Sequence, residues 1–335
     1  MTETEMVADP VVAAVDRIRT RRVHAGRIAD RLFHGVTGGF ALLVLSLLAA
    51  VLVSLAIGAA PAFRQAGFGF FISTAWDPVS NDFGALVPIF GTVVTAVIAL
   101  VLAVPISFGI ALFLTQLAPP WLSRPVSTAI ELLAAVPSII YGMWGLFVFA
   151  PFYAATVQPA AQSLLGDSPW VGALFQGPPL GIGMSTAGII LAIMIIPFIT
   201  AIMRDVFMTV PPKLKESAYA LGCTTWEVTT AVVLPYTRAG TAGGIMLGLG
   251  RALGETMAVT FVIGNAHDLS AALFMPGTTI SSTIANEFTE AYGGTYSAAL
   301  LALGLTLFLI TVIVLALARL MLLRLERQSG GRRHV

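Results

Sequence analysis

The chain has 335 residues, of which 57% are hydrophobic and only 10% are charged, with a formal net charge of +1 and a mean hydropathy of +0.90. Soluble domains carry about 25% charged residues, so this composition excludes a soluble fold and indicates a polytopic membrane protein built from helices. The single cysteine, Cys223, excludes an internal disulfide. No phosphate-loop motif and no metal-ligand spacing occur, so we expect neither ATP hydrolysis by this chain nor a metal site.

Residues 1–35 are polar and contain six arginines. This basic segment is consistent either with an amphipathic helix on the inner membrane surface or with a charged tail that only fixes topology. The apolar run that follows, Val36–Ala60, is longer than the roughly 7–15 residues of a signal-peptide core. We therefore expect an uncleaved first span.

Six segments are apolar over the length of about 20 residues that a membrane-spanning helix needs. The predicted spans are Val36–Ala60, Leu86–Leu114, Ala129–Ala150, Met184–Met203, Gly240–Gly264 and Ser297–Leu323. With the N-terminus inside, the inner segments hold fifteen of the eighteen Lys and Arg residues. Because positive residues stay inside, both termini are predicted to be cytoplasmic.

Two of the outer loops differ from the inner ones in composition. Residues 61–85 are rich in aromatic side chains, and Pro151–Gly183 is rich in proline and glycine. These loops are typical of an aromatic belt at the lipid headgroups, and they would equally suit a docking rim for an external partner.

The inner loop between spans four and five, residues 204–239, is long for a simple connection. Pro211 and Pro212 can begin a helix, Lys213–Leu221 is predicted to be helical, and Gly222 is a natural C-terminal cap. Thr224 and Thr225 then predict a threonine-capped second helix. A short helix on the inner face would act as a lever, and the alternative is a solvated loop.

This loop resembles the EAA loop of ABC-importer permeases. Glu216-Ser217-Ala218 is followed by Gly222 after three residues, and Val232-Val233-Leu234-Pro235 follows after nine more. In the family, the loop is the coupling helix that fits a cleft on a cytosolic ATPase subunit. The resemblance implies coupling roles for a set of six residues: Glu216, Ser217, Ala218, Gly222, Leu234 and Pro235.

In the predicted fifth span, Gly240, Gly244 and Gly248 recur every fourth residue, a pattern that predicts close helix packing along one stripe. The neighbouring row is also spaced by four and includes Arg251 and Glu255, so these two residues are predicted to share a helix face. Arg251 follows Arg238 by thirteen residues, which is roughly 20 Å along a helix and therefore deep in the bilayer. Two readings stay open: an ion pair that locks helix packing, or an Arg251 that meets an anion, with Glu255 as its release partner.

The stretch Gly250–Ala258, GRALGETMA, resembles the fifth-span motif of the permeases of phosphate-specific transporters. Glu131–Leu146 and Ile284–Phe288 are similar to the PstC type of these permeases. The resemblance implies phosphate as substrate and ties Arg251 and Glu255 to its passage. Ser138 and Tyr141 would either line the path or bond to neighbouring backbone.

We therefore predict an all-α integral membrane protein with six spans and the type I ABC-importer permease fold, multi-pass in the plasma (inner) membrane. It would comprise a basic segment (1–35), a first helix (36–60), an external loop (61–85), a permease core (86–323) and a cytoplasmic tail (324–335). The resemblance implies a PstA-like permease, a dimer of ATP-binding subunits and an external phosphate-binding protein as partners, with ATP and Mg used by the ATPase and no nucleic acid. Competing readings are an importer of another oxyanion such as sulfate or molybdate, and a stand-alone secondary transporter or channel. No catalytic cluster supports an enzyme.

Overall fold

The computed structural model describes residues 10–169 and 171–330, and side chains for residues 30–169 and 171–324. These residues are mostly helical. The α-helices are α1 (Pro10–Ala66), α2 (Gly69–Ile72), α3 (Leu86–Leu112), α4 (Pro120–Ala134), α5 (Ser138–Trp144), α6 (Ala150–Phe152), α7 (Gln158–Leu165), α8 (Met184–Met208), α9 (Pro212–Ala220), α10 (Thr225–Val228), α11 (Leu234–Leu253), α12 (Met257–Val262), α13 (Ile280–Glu287) and α14 (Gly294–Gly330). Strands β1 (Trp76–Asp77) and β2 (Asp82–Phe83) form a short antiparallel hairpin, and π-helical turns extend α3, link α5 to α7 and join α10 to α11.

The chain divides into two units, Met1–Ile57 and Gly58–Val335. The described part of the first unit is a single helix, which is the N-terminal portion of α1. The amphipathic alternative for residues 1–35 stays a prediction, since residues 1–9 and the side chains of residues 10–29 lie outside the described ones.

Five helices in the described part of the chain are long and apolar enough to cross a membrane. They are Asp30–Ala66, Leu86–Leu117, Ser138–Leu165, Met184–Met208 and Gly294–Arg324. They confirm a helical, multi-pass membrane protein, although the predicted number of six spans is not reproduced.

The third predicted span, Ala129–Ala150, is interrupted. Helix α4 ends at Ala134 and α5 begins at Ser138, directly after Pro137. Proline has no N–H to donate and disfavours helical backbone at the residue before it, so the helix breaks here. The spanning helix instead runs from Ser138 to Leu165, and the loop predicted from Pro151 is wrong over that stretch.

The fifth predicted span, Gly240–Gly264, is also interrupted. Helix α11 ends at Leu253 with Gly254 as its C-terminal cap, and the six-residue α12 begins at Met257. Glycine is a poor helix former, and a second glycine, Gly264, follows α12 in a left-handed conformation at φ 92°. The segment is therefore a broken helix.

Helix α8 lies at the centre of the second unit. Ile195, Ile199, Met203 and Phe207 recur every fourth residue and are fully buried. Helix α3 packs most extensively against α8, through small residues such as Ala96, Ala99 and Ala103. Pro197 lies inside α8 without ending it, and Ser107 of α3 donates a hydrogen bond to the neighbouring Ile196 carbonyl at 3.1 Å.

A second cluster holds the β-hairpin against the segment before α14. The Glu287 carboxylate accepts hydrogen bonds from Trp76 Nε1 (2.7 Å) and Tyr296 Oη (2.8 Å), and His267 Nε2 lies 2.7 Å from it. Trp76 also stacks on the His267 ring. Burial raises the pKa of Glu287, but the hydrogen bonds from His267, Tyr296 and Trp76 outweigh it and leave the pKa below its usual value.

Candidate functional site

The glycine stripe of α11 brings this helix against the central helix. A Cβ on Gly240 would lie 2.7 Å from Val206, on Gly244 it would lie 3.0 Å from Ile202, and on Gly248 it would lie 2.6 Å from Ile199. No side chain larger than hydrogen fits at these distances without a shift of the neighbour. The three glycines therefore hold the α11 backbone close to α8, as small residues do between membrane helices.

This close approach positions Arg251 beside α8. The Arg251 guanidinium carbon lies 5.1 Å from the centre of the Phe198 ring, within the range of a cation–π contact. The side chain is half-buried. Among the residues that the structure describes, Arg251 makes no hydrogen bond or ion pair, so its N–H donors are available on the side away from the ring.

Glu255 does not pair with Arg251. Because α11 ends at Leu253, the two side chains do not share a helix face, and within the described residues no ion pair joins them. The expectation of a shared face was wrong because it assumed a continuous helix across Gly254. Glu255 Oε1 instead accepts a 3.3 Å hydrogen bond from the Ala258 backbone N–H at the start of α12.

Tyr141 lies close enough to Arg251 to interact with its charge. Its hydroxyl donates a 2.9 Å hydrogen bond to the Leu133 carbonyl across the break at Pro137, which is the backbone bond anticipated as an alternative to path lining. A Cβ on the next residue, Gly142, would lie 3.0 Å from Ala258 of α12, so α5 and α12 pack closely beside Tyr141. Ser138 is half-buried at the start of α5, one turn before Tyr141.

Phe198 and Arg204 also belong to this region, although the sequence did not indicate a role for either residue. Phe198 follows Pro197 in an apolar run and carries no motif. Arg204 Nη1 lies 2.8 Å from Glu131 of α4, and its Nη2 lies 2.8 Å from Asp205. The pairing of Arg204 with Glu131 on another helix has no signature in the sequence.

The short segment of the inner loop that was predicted to act as a lever is helical in the structure. Helix α9 has no buried residue, and Glu216 on it is exposed. Gly222 follows with φ 85°, and its N–H donates to the Tyr219 carbonyl at 2.9 Å, which ends the helix as expected. The Ser217 hydroxyl donates to the Lys213 carbonyl within α9. Leu234 and Pro235 open α11.

The second helix begins at the predicted threonine cap. Thr224 and Glu227 form a reciprocal capping box. The backbone N–H and the hydroxyl of Thr224 both donate to the Glu227 carboxylate and lower its pKa. The large apolar side chains around this turn are exposed, namely Leu214, Tyr219, Leu221 and Trp226. They form a face, here called the coupling face, that can receive another protein.

The long apolar helices define a multi-pass membrane protein. The family model for "Binding-protein-dependent transport system inner membrane component" matches residues 103–327. The chain therefore belongs to this family of inner membrane components.

Curated relatives cover nearly the whole chain. The chain is 58% identical over 318 residues to "Phosphate transport system permease protein PstC" of Mesorhizobium japonicum, covering 95% of this chain and 97% of that protein. It is 59% identical over 303 residues to the protein of the same name from Pasteurella multocida, covering 90% and 94%. It is 39% identical over 323 residues to "Phosphate transport system permease protein PstC 2" of Mycobacterium tuberculosis, covering 94% and 97%.

Two solved structures share the fold. A chain of a bacterial ABC transporter involved in alginate import matches with a TM-score of 0.57 at 18% identity, over 88% of this chain and 99% of that chain. A chain of the MetNI methionine ABC transporter, in an inward-facing form, matches with a TM-score of 0.54 at 16% identity, over 71% and 94%. These matches confirm the type I ABC-importer permease fold.

Proposed function

We propose that this chain is the permease subunit of an ATP-driven importer that moves inorganic phosphate across the inner membrane. The names of the curated relatives support a transport permease rather than an enzyme. One observation carries the substrate class: Arg251 is half-buried in the helix bundle, and no described residue neutralises it.

The chemistry of Arg251 suits a tetrahedral oxyanion. A central charge costs about 2.5–3.5 kcal/mol on membrane-insertion scales, so an unpaired Arg in this position points to a function. Its planar fork donates two parallel hydrogen bonds to a phosphate. The contact with Phe198 occupies one face of the guanidinium and leaves its edge for the anion.

Glu255, Tyr141 and Ser138 complete the proposed path. Tyr141 lies near Arg251, and Ser138 is one turn away on the same helix, where its hydroxyl would contact the passing anion. The Tyr141 hydroxyl would contact the anion on releasing the Leu133 carbonyl. Residues 254–256 are not helical. They allow Glu255 to approach Arg251 in another state of the transporter, and its carboxylate would then displace the anion from the guanidinium.

We further propose that the coupling face binds the ATPase. Helix α9 is short and exposed, and three residues separate it from the end of α8, so a push on it would reach the central helix. Rotation of the ATPase subunits as a rigid body would then open and close the path. The partners are a PstA-like permease, two ATP-binding subunits that use ATP and Mg, and an external phosphate-binding protein. We also propose that both termini of this chain lie in the cytoplasm.

A sulfate or molybdate importer is the second candidate, because any tetrahedral oxyanion suits one guanidinium. The test is uptake of labelled phosphate by vesicles that contain this chain and the three partners, with and without ATP and with excess sulfate. ATP-dependent uptake that sulfate does not reduce is expected. Uptake without ATP contradicts the importer proposal, whereas ATP-dependent uptake that sulfate abolishes overturns phosphate as the substrate.

A further inference from the structure

A groove of about 370 Å³ lies between α11 and α14, away from the proposed path residues. Its walls are formed by Gly243, Met246 and Leu247 of α11 and by residues of α14, namely Leu315, Arg319, Leu322 and Leu323. We call it the Arg319 groove. Among the described residues of its lining, Arg319 is the one that is charged, and the others are glycine or have apolar side chains.

The groove widens from Gly250 toward Gly243. At one end, a Cβ on Gly250 would lie 3.7 Å from Leu315, which is ordinary contact between the helices. Two turns earlier in α11, a Cβ on Gly243 would meet nothing within 4 Å. The distance from Gly250 to Gly243 is roughly 10 Å along the helix. The two helices therefore diverge, and the wide end of the Arg319 groove lies at Gly243.

Arg319 has no protein partner in the part of the chain that the structure describes. It is exposed and makes no hydrogen bond, ion pair or ring contact there. It lies five residues before Arg324, the end of the candidate span Gly294–Arg324. A guanidinium at this depth extends toward the interface with its stem along apolar surface.

We propose that the Arg319 groove binds an anionic phospholipid, whose phosphate contacts Arg319 and whose acyl chain lies against Leu247 and Leu315. Basic pockets between membrane helices bind lipid headgroups, and the cytoplasmic leaflet, which this end faces in the predicted orientation, is rich in anionic lipid. Free phosphate is a poorer match, because a hydrated dianion needs several donors and the groove offers one cation among hydrocarbon walls. A lipid phosphodiester carries a single negative charge, and the acyl chains of the lipid supply hydrocarbon that matches the apolar walls of the groove.

The experiment measures lipid retained by the assembled transporter. Complexes with wild-type chain are exchanged into micelles that contain phosphatidylglycerol or phosphatidylcholine, and bound lipid is counted by native mass spectrometry. The wild-type complex is expected to retain phosphatidylglycerol, and Arg319→Gln to weaken that retention about fivefold, the effect of one basic residue near the membrane surface. Arg319→Lys, which keeps the charge, is expected to retain most of it.

Two further variants separate charge from shape. Gly243→Leu fills the wide end of the groove, where a side chain meets no neighbour, and is expected to reduce retention without a change of charge. Arg324→Gln is the matched control, since Arg324 is exposed on the same helix but does not line the groove. Equal retention by wild type and Arg319→Gln overturns the proposal. So does equal retention of the two lipids, or an assembled complex in which a partner subunit covers the groove and no lipid binds.

Discussion

The guanidinium of Arg204 lies 2.8 Å from the carboxylate of Glu131 and thereby joins the end of α8 to α4. Arg204 is four residues from the end of α8, after which the chain enters α9. Glu131 is four residues before Ala135, the C-terminal cap of α4 ahead of the break at Pro137. The ion pair therefore connects the proposed ATPase-binding side of the chain to α4, whose Leu133 carbonyl accepts the hydrogen bond from Tyr141 of α5.

Reversal of one charge of this pair is expected to reduce ATP-driven uptake, and reversal of both to restore it. A partly exposed pair contributes up to about 1 kcal/mol, so Arg204→Glu or Glu131→Arg alone should lower uptake about fivefold. The double variant should recover most of the loss. Asp205→Asn is the control, because Asp205 contacts Arg204 but belongs to the same helix. Failure of the double variant to recover uptake contradicts the link.

Gly222 tests the coupling face through backbone conformation. Its φ of 85° costs a residue with a Cβ about 1–2 kcal/mol, although no neighbour lies within 4 Å of that Cβ. Gly222→Val is therefore expected to distort the end of α9 and to reduce co-purification of the ATPase. Gly222→Asn, which tolerates this conformation, should keep most of it. Unchanged co-purification with valine counts against the coupling assignment.

Gly248 tests the packing of α11 on α8. In Gly248→Ala, the new Cβ would lie 2.6 Å from Ile199, which is fully buried and has little room to move. Overpacking of this kind costs about 1–3 kcal/mol, and a lower unfolding temperature in detergent is expected. Gly243→Ala on the same helix meets no neighbour and should not lower it. Equal unfolding temperatures for the two variants would refute the packing role of the stripe.

Glu287 makes the stability of the hairpin cluster depend on pH. The pKa of Glu287 is lowered in the folded chain. Its contribution to the free energy of unfolding is therefore complete above the unfolded-state pKa of about 4.3 and is lost as the pH falls through the folded-state pKa. Glu287→Gln is expected to destabilise the chain by about 2 kcal/mol near neutral pH, because hydrogen bonds to a charged acceptor are lost.

That difference should shrink as the pH falls below about 4.3, because Glu287 then takes up a proton in the unfolded chain before it does so in the folded chain, and it should vanish below the lowered folded-state pKa. Thermal unfolding at a series of pH values measures it. Glu290→Gln is the control, since Glu290 is exposed. A difference between wild type and Glu287→Gln that persists unchanged at low pH would rule out the carboxylate as the source.

Local signals in the sequence predicted much of this fold. Thr224 and Glu227 have the spacing of a capping box, and Gly222 follows a helical stretch, so the turn between α9 and α10 follows from chain-neighbour chemistry. Apolar length alone likewise located four of the spanning helices near their observed positions. These features depend on residues within a few positions of one another.

The breaks and the cross-helix contacts could not be read in this way. The length of an apolar segment does not show whether a proline or glycine within it breaks the helix. Pro137 and Gly254 lie at helix breaks, whereas Pro105 and Pro197 lie inside helices. The partners of Arg251 and Arg204 depend on which helices are adjacent, and no spacing in one sequence reports that. The contact between Trp76 and Glu287 joins residues 211 positions apart.

The most direct test of the account is phosphate uptake by fully assembled transporters that carry Arg251→Ala. The account predicts that the complex still assembles with its partners and binds ATP, that labelled phosphate uptake is lost, and that Arg251→Lys restores part of it, because lysine supplies the charge without the fork. Normal uptake by an assembled Arg251→Ala complex would contradict the central claim, since the half-buried guanidinium would then have no role in moving the anion.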